Sequence, residues 1–336
     1  MIKHTHTEPT ELNFSKLEMR TMQVNDPYLG KYDDIREMLY ELTIDNKPTL
    51  IMATGGSKVI AYYLQLIIER LGLTGIICEV IEPRDYFYKA NINMFSNLIA
   101  ISASGNTNGI SEALLDFKGN KYLITENVKE SNYQVVSWGN ELYDKEKSFI
   151  SLATSLGPIS LLLDSTTSLN LELSSNEIKR INDKIKELLS RSKEKINKLN
   201  VDFKDTSLIQ IMSGYETKSS ASVLESNLTE VGLAPAVIHD KGSYCHGRSN
   251  LLFQYPNSRI IYLSHGLKEL DDLLIDSING EYSNISVFDT NDLSDNIFWK
   301  EYYLILLVYF HVLVIHLIKN LYLFQRIDNI HFHQRK

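Results

Sequence analysis

The chain is 336 residues long, with 34 Lys plus Arg against 42 Asp plus Glu, a formal net charge of −8 and 43% apolar residues. That length is more than one hydrophobic core organises well and predicts two domains, while the composition excludes wholesale disorder. The acidic balance speaks against a nucleic-acid partner, which needs clustered Lys and Arg, and two widely spaced cysteines, Cys78 and Cys245, exclude a disulfide framework or a CxxC metal site.

In chain order, the polar start Met1–His6 lacks the charged-then-apolar pattern of a secretory leader, which predicts a cytoplasmic protein. Residues 1–30 are expected to be an arm outside the sheet. From Lys47 onward, short apolar runs rich in β-formers alternate with helical patterns, the arrangement of βαβ units around a parallel sheet. Strands are predicted over Thr49–Ala53, Gly75–Ile81, Leu98–Ser102 and Lys121–Thr125. Between them, Lys58–Arg70 carries a helical stripe at Val59, Ile60, Tyr63, Leu64, Leu66 and Ile67, and Asn108–Phe117 follows Thr107 as its expected N-cap. A helix over Ser148–Leu163 closes a first unit spanning residues 31–172.

Asn176–Asn200 is rich in Lys, Glu and Asn, with isoleucines and leucines on one helical face, and predicts a connecting helix within residues 173–200. The alternation then restarts across residues 201–324. Strands are expected at Ser207–Met212, Ala236–His239, Arg259–Ser264 and Ile285–Asp289, and helices at Thr217–Val231, Lys268–Ile278 and about Ile297–Leu323. Tyr302–Ile318 approaches the roughly 17 to 25 apolar residues of a membrane span. His311, His316 and the flanking Lys300, Glu301 and Lys319 instead favour a buried or dimer-interface helix, and no membrane partner is expected. Residues 325–336 form a tail.

Ligands of open parallel sheets bind beyond the carboxyl ends of strands, where loops run into helix N-termini. Two loops sit there. Ala53-Thr54-Gly55-Gly56-Ser57 offers paired glycines for close backbone approach and the Ser57 hydroxyl; Ser102-Ala103-Ser104-Gly105-Asn106-Thr107 offers three hydroxyls and a glycine in six residues. Hydroxyls and amides at a helix start suit a phosphate without Lys or Arg, although plain helix capping is the competing reading. Neither loop has the spacing of a P-loop or of GxGxxG. No HExxH or CxxC set suggests a metal, and neither metal nor organic cofactor is expected.

These loops resemble those of the sugar isomerase (SIS) family. Ala53–Ser57 is similar to its GxGxS loop with Ala in place of the first Gly, and Ser102–Thr107 to its SxSGxT phosphate loop. The second half adds Asn227-Leu228-Thr229-Glu230, similar to KLKE, and Cys245-His246-Gly247-Arg248, similar to KHGP. The resemblance runs from about Lys47 to Ile318 and is to a tandem double-SIS protein such as the isomerase half of glucosamine-6-phosphate synthase. It implies two SIS domains, each a three-layer α-β-α sandwich around a parallel sheet, Rossmann-like or flavodoxin-like.

The resemblance also implies roles. Ser57, Ser102, Ser104 and Thr107 would contact a sugar phosphate, with Ala103 and Asn106 adding further contacts and Gly55, Gly56 and Arg248 as possible contributors. Glu230 would be the base that moves a proton between C1 and C2, and His246 would open the sugar ring; a carboxylate and an imidazole suit those tasks. Partners would be a phosphorylated sugar or amino sugar and a second copy of the chain. The expected activity is sugar-phosphate isomerase or amino-sugar-phosphate deaminase or deglycase. The alternative is a non-catalytic sugar-phosphate-binding regulator, favoured by Asn227 where the motif has Lys and by the lack of a counterpart to a tail lysine among Lys319, Arg326 and Lys336.

Overall fold

The computed structural model describes residues 32–71, 77–126, 131–138, 153–168, 183, 187, 206–230, 232, 234–281, 285–293, 295–309 and 311–312. The expected arm and tail lie outside these residues, as does the connecting helix apart from 183 and 187.

The first half contains α1 (Tyr32–Asp45), β1 (Thr49–Met52), α2 (Ser57–Arg70), β2 (Cys78–Ile81), β3 (Asn97–Ile101), α3 (Ile110–Asp116), β4 (Asn120–Thr125), β5 (Gln134–Ser137) and α4 (Ala153–Ser168). The second half contains β6 (Ile209–Ser213), α5 (Lys218–Glu230), β7 (Ala236–Asp240), β8 (Arg259–Ser264), α6 (Glu269–Glu281), β9 (Ile285–Asp289) and α7 (297–309). All strand pairs are parallel, in the orders β2-β1-β3-β4-β5 and β7-β6-β8-β9. Leaving β5 aside, the two orders superpose term by term: β6 stands for β1, β7 for β2, β8 for β3 and β9 for β4. The α/β class with parallel sheets flanked by helices is therefore as expected.

Alternation along the strands sorts side chains into layers. In the first sheet Ile51, Ile99, Ile101 and Ile124 face one continuous core, while Leu50, Met52, Leu98, Ala100 and Leu123 face an outer cluster with Ile110, Leu114 and Phe117. In the second sheet Ile209, Ile211, Ile261 and Leu263 join the same continuous core, and Met212, Ile260 and Tyr262 face an outer cluster with Tyr244, Leu252 and Ile275. Residues of α1, α2, α4, α5 and α7 fill the shared core between the sheets. Direct bonds cross it: Tyr63 donates to the Phe298 carbonyl at 2.9 Å and Ser219 to the Val59 carbonyl at 3.0 Å.

Two elements were not anticipated. The α1 stripe of Ile35, Met38, Leu39 and Leu42 is fully buried, and its spacing is legible in hindsight. Strand β5 is four residues long with no apolar run of its own, and exists because β4 offers an open edge. One expectation is corrected: Thr107 does not cap α3. The residue before α3 is Gly109, at φ +84 with no side-chain cap, and the Thr107 hydroxyl is bonded to Ser102 instead. The apolar C-terminal run begins as α7, whose described residues are mostly buried, and among the described residues no helix is long and apolar enough to cross a membrane.

Candidate functional site

The segment Ser102–Thr107 leaves the carboxyl end of β3, the middle strand of the first sheet. Ser102 is buried, and its Oγ lies 2.8 Å from Thr107 Oγ1 and accepts the Gly105 N–H at 3.1 Å. Ser104 Oγ accepts the Asn106 N–H at 3.1 Å. The loop thus folds around its own hydroxyls, and Gly105 makes this possible by taking φ +64, a left-handed conformation that a side chain disfavours. Its rear is fixed to β4: the Ala103 carbonyl accepts from the Thr125 hydroxyl and the Glu126 N–H, each at 3.1 Å. A hydroxyl that accepts a bond still carries its own O–H, the chemistry by which such a loop can meet an anion.

The neighbouring loop leaves β1. Gly55 sits at φ +54, and a Cβ at Gly55 or Gly56 would meet nothing within 4 Å, so both border open space. Ser57 opens α2, half-buried. Next comes Lys58, an unfavourable charge for the first turn of a helix, held there by an ion pair with Glu82 from the end of β2. Burial works against the Glu82 carboxylate, yet hydrogen bonds from Lys58 and Thr54 hold its pKa below the ordinary value. For Lys58 burial likewise opposes the charge, and Glu82 raises its pKa over that penalty. The Lys58–Glu82–Thr54 cluster was not singled out from the sequence; a lysine in a helix's first turn was the available signal.

Glu230 ends α5, exposed, accepting the Ser226 hydroxyl at 2.7 Å. It shares an electrostatic neighbourhood with Glu225 and Lys58. The Glu225 carboxyl is pushed up first by burial and then by Glu230, with Lys58 acting in the opposite sense. The packing of α5 against α2 therefore brings Glu225 under the influence of Lys58, the residue that follows Ser57. Asn227 turns inward, buried, donating to the Val223 carbonyl at 2.8 Å, so it does not present a side chain where KLKE has a lysine.

His246 and Arg248 stand apart from this group. Both are exposed in the loop beyond β7, and no hydrogen bond or ion pair joins either side chain to residues 102–107, Ser57 or Glu230 among the described residues. Arg248 acts on a different imidazole: His239 is buried beside Tyr244, and burial first, then the Arg248 charge, lowers its pKa. Cys245 is exposed with Sγ 4.0 Å from the Lys241 carbonyl, and burial raises the Cys78 thiol far out of the reactive range.

No protein-family model and no curated protein matches this sequence. Solved structures do match its fold. Glucosamine-6-phosphate deaminase from Thermotoga maritima superposes with TM-score 0.64 at 15% identity, covering 90% of this chain and 94% of that one. The C-terminal domain of glucosamine-fructose-6-phosphate aminotransferase from Francisella tularensis gives 0.62 at 16%, over 94% and 98%. A protein provisionally assigned as a tagatose-6-phosphate ketose/aldose isomerase from Clostridium novyi NT gives 0.67 at 15%, over 91% of each chain. At these identities the likeness is one of fold.

Proposed function

We propose, starting from a fold shared with phosphosugar isomerases and a deaminase, that this chain binds a phosphorylated sugar or amino sugar in the first-half crevice and is a sugar-phosphate isomerase or an amino-sugar-phosphate deaminase or deglycase. The observation that carries the reading is the hydroxyl-lined loop Ser102–Thr107, closed on itself by Gly105 and anchored to β4. Ser57, Ser102, Ser104 and Thr107 contact the phosphate, with Ala103, Asn106 and the open Gly55–Gly56 backbone completing the cradle.

Glu230 serves as the base. It takes the proton from the carbon beside the carbonyl and returns it to the neighbouring carbon. His246 opens the ring. Since His246 makes no bond to the first-half loops among the described residues, the proposal includes a homodimer in which a second copy supplies it, as SIS sites commonly do. The same reading makes the protein a cytoplasmic one, which suits its two free cysteines.

The second reading, a non-catalytic sugar-phosphate sensor, is favoured by one observation: Asn227 is turned into its own helix and adds no cation to the site. A thermal-shift series against hexose, pentose and amino-sugar phosphates tests the binding. Stabilisation by one compound, abolished in Ser104→Ala, supports the cradle; no stabilisation by any of them overturns it. Glu230→Gln then separates the two readings. An enzyme loses about 10²- to 10⁴-fold in turnover while keeping the ligand-induced shift; a sensor has no turnover to lose.

A further inference from the structure

The second sheet has a crevice in the same topological place as the first. The loops after β1 and β3 correspond to those after β6 and β8, and between the latter lies a cavity of about 630 Å³. That volume is within the range of small-ligand sites. Its chemistry differs from the hydroxyl cradle, being cationic. Arg70 reaches it from the end of α2, Lys241 from the turn after β7 and Lys268 from the start of α6. Glu216 pairs with Arg70, and Asp271 pairs with Lys241 at 3.2 Å. The Lys268 ammonium has no ion pair among the described residues and its side chain is exposed, so the crevice keeps one uncompensated cation in a chain of net charge −8.

Asp271 is already occupied. It accepts from the Tyr262 hydroxyl, from Lys241 Nζ and, at 2.9 Å, from the Lys268 N–H. Burial opposes its charge, but those three donors hold its pKa below the ordinary carboxylate value. It therefore orients the Lys241 side chain, fixes the backbone at Lys268 and remains a carboxylate that adds no demand for a cationic ligand. The loop itself is rigid at its base. His265 Nε2 lies 2.8 Å from Glu301 Oε2 and Nδ1 2.7 Å from Thr290 Oγ1, while Lys300 Nζ donates to the His265 carbonyl at 3.0 Å. Glu301, fully buried, also accepts the Ser220 N–H at 2.8 Å, which ties the loop after β8 to the start of α5. Gly266 takes φ +143, and a Cβ there would stand 3.0 Å from Asn291 Oδ1, so the loop follows a path only glycine permits.

The remaining wall is aliphatic, from Leu270 and Leu274. Two tyrosines also line it: Lys241 covers Tyr262 at 4.4 Å from its centroid, and Lys218 Nζ stands 5.0 Å from the centroid of the exposed Tyr215.

We propose that this crevice is a second ligand site, taking a phosphate monoester with a small organic group. The phosphate pairs with Lys268 and Lys241, and the organic group lies on Leu270 and Leu274. The inference leans on the first-half reading only through the matched topology of the two crevices; its lysines stand independently.

Titration calorimetry of the full chain with fructose 6-phosphate, with inorganic phosphate and fructose in parallel, tests it. Two sites per chain are expected, one absent in Ser104→Ala and the other weakened at least tenfold in Lys268→Glu, with the neutral Lys268→Gln between wild type and Lys268→Glu. A single equivalent that is kept in Ser104→Ala and lost in Lys268→Glu would support this site while overturning the first-half reading. Loss of all binding in Ser104→Ala, or two sites intact in Lys268→Glu, would overturn the second site. Inorganic phosphate binding it as tightly as the ester would overturn the role given to the leucine wall.

Discussion

The two crevices occupy one topological position and solve the same problem in opposite ways. After β3 the chain places three hydroxyls and a left-handed glycine on a loop that bonds to itself within residues 102–107 and to β4. After β8 the loop is short of hydroxyls, and its shape is imposed from below by His265, Glu301 and Lys300 on an element far along the chain. A locally closed loop offers a ligand its own amides and hydroxyls. A remotely braced one leads into lysines, of which Lys241 is held by Asp271 while the Lys268 side chain is exposed. Parallel-sheet topology decides where a ligand can sit, and the loop residues decide what charge it finds there.

The comparison breaks most visibly at Glu301. Removing a fully buried carboxylate leaves His265 Nε2 and the Ser220 N–H without their partner, and Glu301→Ala is expected to cost about 3–5 kcal/mol of stability. Chemical denaturation measures this. Calorimetry on the folded fraction should show the Lys268 site weakened while the Ser104-dependent site stays within a few-fold. Equal loss at both would show that the crevices are not independently braced.

A change in the shared helical layer serves as the control that touches neither loop. Asp164 on α4 has its pKa raised by burial to about 6. A carboxyl whose folded pKa lies above its unfolded value stabilises the fold at low pH, and that contribution is lost as pH rises from about 4 through 6. Asp164→Asn should therefore be more stable than wild type by roughly 3 kcal/mol at pH 7 to 8 and converge with it near pH 3. A stability difference independent of pH would reject the burial of that carboxyl. Ligand stoichiometry should not change.

The smallest effect is expected at Gly105. Alanine at φ +64 costs about 1 kcal/mol, a shift of a few degrees in Tm, and disturbs the amide that Ser102 Oγ accepts. Gly105→Ala should abolish the Ser104-dependent stabilisation by ligand and leave the Lys268 site unaltered. Retention of both would mean that the loop's conformation does not matter to binding.

How much of this was legible in advance depended on the range of the interactions concerned. Strands such as Thr49–Met52 and Arg259–Ser264 are short buried runs whose residue types announce them, and α2 shows its stripe openly. The cradle was legible because its chemistry lies within six consecutive residues. Thr107 misled: a threonine before a helix reads as a cap, and only the return of the loop onto Ser102 gave its hydroxyl another partner. Lys300 and Glu301 read as charges flanking an apolar run. Packing turned them inward, where Lys300 is 8% and Glu301 0% exposed, and made them the brace of a loop that the linear order places well before them.

The sequence by itself determined the α/β alternation, the two matched halves and the hydroxyl loop, because period-two strands, helical stripes and turn residues act over a few positions. Only the tertiary structure decided that Glu82 holds Lys58, that Glu301 braces the loop after β8, and that a cationic crevice opens over Asp271. Those depend on which charged side chains meet after the sheets close on their shared helices. Charge pairing between distant residues leaves no periodic trace in a single chain.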